Sequence, residues 1–179
     1  SNLNDEEKAY DYALRAYNLN KKSRMNLWNA ASLSQNASRH KECMDIMDKA
    51  IIPIDNDFHT LYGRCYLALA EYEKSIKHFT TFFDNYEREG LKVDIKPMDE
   101  RYYMFQSLYY ATAQDAISAE NKLKYQNEAV KYFNEQTNEK WRKNLMLLMV
   151  NNYSSENLSN RYTKGILENI YKHSTLSSV

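Results

Sequence analysis

Glycine and proline are scarce in this chain of 179 residues, with only three of the first and two of the second. That removes the punctuation an all-β fold needs for its many turns, so nearly the whole chain is free to be helix. Cysteine is equally thin. Cys43 and Cys65 are too few to frame the fold with disulfides, and both fall on apolar helix faces, where buried free thiols are common. No run of 18 apolar residues is present, and no signal peptide or lipidation motif is visible. A cytoplasmic or a periplasmic location both stay open. Net charge is absent too, since 24 Lys and Arg balance 24 Asp and Glu without a basic stripe. Nucleic acid and anionic membrane are therefore not expected partners of this region. Catalytic signatures are also missing. His40, His59, His78 and His173 are scattered without metal-ligand spacing, and there is neither a glycine-rich phosphate loop nor a nucleophile elbow. No catalytic residue, metal or cofactor is expected, and the chain does not read as an enzyme.

What is present is a ladder of compact apolar residues. Ala9, Ala13 and Ala16 return as Cys43, Met47 and Ala50, each 34 positions on. That is the period of a helix–turn–helix unit repeated by stacking. The composition, 43% hydrophobic and 27% charged, suits a folded domain with a proper core. Tyrosine is unusually common at 16 residues, which supplies large rings with polar tips for the helix interfaces.

Nine helices are predicted: Asp5 to Asn18, Ser23 to just before Ser38, Arg39 to Ile51, Phe58 to Leu69, Tyr72 to Glu89, Glu100 to Ser118, Asn121 to Glu135, Glu139 to Tyr153, and Ser155 to His173. Pro53 is expected to stop the third, and Asp55-Asn56-Asp57 to open the fourth. Leu91 to Pro97 reads as a loop, Asp99 as a cap for the sixth helix, and Ser155 as a cap for the ninth. Residues 174–179 read as a flexible tail behind a single helical domain over 1–173. The eighth helix is apolar on every side at Leu145-Met146-Leu147-Leu148-Met149-Val150, which fits either a helix half exposed at an interface or, the reading preferred, one buried under the ninth.

Over residues 24–89 the pattern resembles the tetratricopeptide repeat. Tyr62, Gly63 and Tyr66 take the Leu, small and aromatic sites of a first helix, while Tyr72 fills the turn aromatic, Ser75 the next small site and Phe79 the ring before the final site. Phe82 stands where Ala is usual. Leu27, Ala30, Ala31, Ser34, His40, Cys43, Met47 and Ala50 carry the preceding repeat, while from Asp99 onward the match fades. The resemblance implies a right-handed superhelix of antiparallel helix pairs, an all-α solenoid. Helix 1 carries only the second half of a repeat, which suggests a piece of a longer protein.

The resemblance also implies a job: binding another protein or peptide as a scaffold or sensory domain of a larger, bacterial-type regulator. An exported binding protein for glycan or peptide is the alternative. First helices line the groove in this family, which would place Met25, Trp28, Asn29, Ser32 and Gln35 there from one helix and Thr60, Arg64 and Leu67 from the next. Some relatives clamp a terminal carboxylate, but the matching positions, Trp28, Ser32 and Leu61, lack the chemistry. In helix 6, Tyr102 and Tyr109 lie seven apart on one stripe and are candidates for an exposed aromatic shelf.

Overall fold

A computed structural model of the chain describes residues 2–89, 96–136, 138–153 and 161–176. Among these residues the fold is all-α, with nine helices and no strand. They fall into two compact units, Ser1–Tyr86 and Glu87–Val179.

The first unit holds α1 (Asn2–Leu19), α2 (Arg24–Asn36), α3 (His40–Asp48), α4 (Asn56–Ala68) and α5 (Tyr72–Arg88). Short polar side chains set the starts. Ser23 caps α2 by accepting the Asn26 N–H, and Asp55 caps α4 by accepting the Asp57 N–H. Helix α2 packs on α1, α3 and α4, and α3 packs on α4. The core between them gathers Ala13, Tyr17, Leu27, Ala30, Ala31, Cys43, Met47, Phe58, Leu61, Tyr62 and Cys65. The middle of the small-residue ladder thus faces inward: Ala13, Cys43 and Met47 are buried, and Ala9, Ala16 and Ala50 half-buried. Cys43 and Cys65 are free, buried thiols.

Two hairpins in this unit have the same turn. After α2, Ser38 adopts φ 60°, and after α4, Ala70 does the same 32 residues on. The hydrogen bonds repeat at that shift. Ser38 N–H donates to Gln35 O and Arg39 N–H to Ser34 O; Ala70 N–H donates to Leu67 O and Glu71 N–H to Tyr66 O. This left-handed cap satisfies the last carbonyls of the helix and reverses the chain in few residues. The second hairpin is locked further inside. The Ser75 hydroxyl donates to the Gly63 carbonyl at 2.7 Å. A Cβ on Gly63 would fall 2.7 to 2.9 Å from the buried ring of Phe79, so only glycine lets the two helices approach this closely.

The second unit holds α6 (Lys96–Thr112), α7 (Ala119–Glu135), α8 (Glu139–Tyr153) and α9 (Arg161–Leu176). Helix α6 packs on α7, α8 and α9, and α9 also packs on α7 and α8. Phe105 stacks with Tyr109 and lies against Phe133, both at 6.1 Å, amid buried Met104, Leu108, Ala129, Leu145, Met149 and Ile166.

Several boundaries differ from expectation. Helix α3 ends at Asp48, not Ile51, because Pro53 crowds the carbonyl four residues before it; the Lys49 N–H closes the end on the Asp45 carbonyl and the Ala50 N–H on that of Met47. Helix α6 starts at Lys96, with Pro97 in the first turn, where no amide partner is needed. It stops at Thr112 rather than Ser118, since Ala113 and Gln114 bond back three residues to Tyr110 and Ala111 and Ser118 instead caps α7. Helix α9 runs on to Leu176, as nothing in Ser174-Thr175-Leu176 breaks a helix. Residues 90–95 and Ser155, read as loop and cap, lie outside the described residues, and so does the side chain of Asp99. In α8, Leu145 and Met149 are buried but Leu147 and Val150 are about half exposed, so only one stripe of that apolar helix faces the core.

Candidate interaction face

The residues expected to line a groove sit on two neighbouring helices. Along α2, Met25, Asn29 and Ser32 follow one another at helical spacing, with Trp28 and Gln35 beside them; along α4 come Thr60, Arg64 and Leu67. Met25 is 61% exposed and Asn29 is exposed. Trp28, Ser32, Gln35, Arg64 and Leu67 are half-buried. Thr60 is buried and donates its hydroxyl to the Asp57 carbonyl at 2.7 Å, so it stiffens the start of α4 and offers little to a guest. The Ser32 hydroxyl reaches the Asn29 carbonyl at 3.4 Å.

The anchor of this face is a cluster that sequence reading reached only in part. Trp28 meets Phe58 edge to face, with ring centroids 5.3 Å apart. The Arg24 guanidinium lies over both rings, at 5.8 Å and 5.4 Å. Asp55 takes two of its N–H groups, one of them at 3.0 Å, and Asp57 a third at 2.8 Å. Hydrogen bonding to Asp55 raises the Arg24 pKa further. The side chains of Arg24 and Asp55 are each 44% exposed, so the ion pairs contribute about 0–1 kcal/mol. Their effect is to fix the Trp28 indole between a buried ring and a fixed cation.

The aromatic shelf is not open in the form expected. Tyr109 is 1% exposed and stacks on Phe105, which makes it part of the core. Tyr102 is half-buried against Trp141 at 4.6 Å.

A second cluster escaped the sequence altogether. His59 on α4 and His78 on α5 meet through their Nδ1 atoms at 2.9 Å. The His78 ring is stacked by Tyr62 at 4.8 Å and Tyr66 at 5.4 Å, and the Tyr62 hydroxyl donates to Asp48 at 2.6 Å. Burial lowers the pKa of both histidines, and His78, also facing His59 and Lys77, is pulled down to about 4. The two residues are 19 apart, a spacing that says nothing by itself. The Ser75–Gly63 contact sets the antiparallel register, and one helical turn farther along each helix from it stand His59 and His78.

Between α1 and α3 lies a depression of about 160 Å³ lined by Leu14, Tyr17, Asn18, Lys21, Asp45, Ile46 and Lys49. It is smaller than the roughly 300 Å³ at which small-molecule pockets begin. Among the described residues, no three or more His, Cys, Asp or Glu side chains gather as a metal-binding set, and no helix is long and apolar enough to cross a membrane. Compared with known proteins, the chain matches no family model, and neither a curated protein nor a solved structure is similar to it.

Proposed function

We propose that this chain is a non-catalytic protein-interaction module built on tetratricopeptide-like helix pairs, serving as a scaffold or sensory part of a larger regulatory protein. The observation that carries the reading is the α2/α4 face. Trp28 is held there by Phe58 and Arg24, with exposed Met25 and Asn29 alongside. A rigid indole beside a fixed guanidinium is the combination that anchors partners, because aromatic and Arg side chains bury much area at little further entropic cost. The two matching hairpins, 32 residues apart at Ser38 and Ala70, support a stacked-pair superhelix. In that arrangement α2 and α4 are first helices and present adjacent stripes to one partner segment. The partner is another protein or a peptide. A neutral charge balance gives no pull toward nucleic acid or membrane.

The test uses positions that leave the core alone. The parent chain, Asn29→Arg and Arg64→Ala are each used to capture partners, and circular dichroism checks the helices. Loss of the same bound proteins from both variants, with helicity and melting intact, supports the face. An unchanged set of bound proteins in both rules it out.

A further inference from the structure

We propose that His59 and His78 form a two-imidazole site for a first-row transition-metal cation of the zinc class, with both rings ligating through Nδ1. The geometry comes first. The two Nδ1 atoms already converge at 2.9 Å from adjacent helices of one hairpin. Tetrahedral zinc places two imidazole nitrogens about 3.3 Å apart, at about 2.0–2.1 Å each from the metal. The rings therefore need to part by only about 0.4 Å. Their orientation is fixed beforehand, since Tyr62 and Tyr66 stack on His78 and Ser75 pins the hairpin at Gly63.

The chemistry fits as well. Imidazole suits zinc, copper and nickel, and it binds them only when neutral. Burial lowers the pKa of both rings and so favours the neutral, ligating form. Asp55 near His59 and Asp48 near His78 add negative potential, and Lys77 opposes it. One proton now lies between the two Nδ1 atoms. On metal binding it moves to the Nε2 of its own ring, so both rings become Nε2–H tautomers and no proton is released at neutral pH. Among the described residues no third protein ligand joins the pair. Water, or a group carried by a partner, completes the coordination. Both histidines are half-buried, which leaves the ion a path from solvent.

The experiment is a titration of the untagged chain with zinc chloride, followed by calorimetry and by histidine ring ¹⁵N shifts. One zinc per chain is expected, with the His59 and His78 Nδ1 signals moving and those of His40 and His173 unmoved. His59→Gln and His78→Gln should each weaken binding by more than the roughly tenfold that losing an outer-shell partner costs, while His40→Gln leaves it unchanged. Full-strength binding in both glutamine variants overturns the proposal. So does loss of binding in Cys43→Ser alone, which would assign the ion to the buried thiols. The ring shifts need no variant, so ¹⁵N changes confined to His40 and His173 would sink it even if a substituted chain failed to fold.

Discussion

Glycine marks a tight helix contact in each unit, and the two contacts are of different kinds. At Gly63 the neighbour is the ring of Phe79, fully buried and wedged in apolar surroundings. At Gly165 the neighbour is the side-chain amide of Gln126, 2.4 Å from where a Cβ would stand. A ring in a close-packed core has nowhere to go, whereas the end of a long polar chain can swing aside. The first contact is therefore rigid and the second is adjustable. The turns differ in the same sense. In the first unit, α2–α3 and α4–α5 reverse through a single left-handed residue; between α6 and α7 the chain takes the longer path from Ala113 to Ser118, with no positive φ. Tight reversals of one kind give the two hairpins the same turn, and a longer connection leaves each helix free to find its own neighbours.

The largest expected effect tests the rigid contact. Gly63→Ala should cost about 1–3 kcal/mol in urea unfolding, as overpacking does. Adding Phe79→Met should recover part of that loss, because the first hairpin carries Ala31 and Met47 at the matching positions, both buried. A Gly63→Ala chain as stable as its parent would erase the contrast between the units.

The turns come next. A non-glycine residue in the left-handed region costs about 1–2 kcal/mol, so Ala70→Gly and Ser38→Gly should each raise stability by about 1 kcal/mol. Ala113→Gly, at a position without positive φ, should not. Thermal melts of the three variants decide whether the repeated turn is strained.

Acid should act on the first unit through its histidines. His40, His59 and His78 all have pKa values lowered by burial, and the His40 Nδ1 is buried without a partner. The unfolded chain takes up protons near pH 6.5, the folded one only nearer pH 4 at His78. The stability they contribute is thus complete above pH 6.5 and drains away as pH falls from there toward 4. Amide exchange in α4 should accelerate over that window, and His78→Gln should flatten the dependence. An α4 that exchanges at the same rate at pH 7 and pH 5, once the intrinsic rate is corrected, would refute this.

The smallest effect is expected at Gly165→Ala. Displacing the Gln126 amide should be largely offset by the roughly 1 kcal/mol of helix propensity gained over glycine. A loss as large as that at Gly63 would show the second contact to be equally rigid.

Much of the fold was legible because helix formation is local. Asp55 announced its helix through capping chemistry, and Ala13, Cys43 and Met47 announced an inward face through spacing. Pro53 and Pro97 show the limit of such reading. Pro53 is expected to end α3 at Ile51 and Pro97 to close a loop, yet α3 already ends at Asp48 and Pro97 sits inside a first turn. The candidate face was legible in its α2 half, where Met25, Trp28 and Asn29 share one helix. Its anchor was not, since Arg24 meets Phe58, Asp55 and Asp57 only after α2 and α4 have packed. Tyr102 and Tyr109 make the same point, as a seven-residue stripe has no sign telling core from surface.

By itself the sequence determined that this chain is helical, where most helices begin, and which of their faces are apolar, because propensity, capping and periodicity act over a few residues. Only the tertiary structure decided that His59 would touch His78, that Trp28 would lean on Phe58 under Arg24, and that Phe79 would fill the gap Gly63 leaves. Those meetings depend on the register between helices, which is set by turn geometry and close packing.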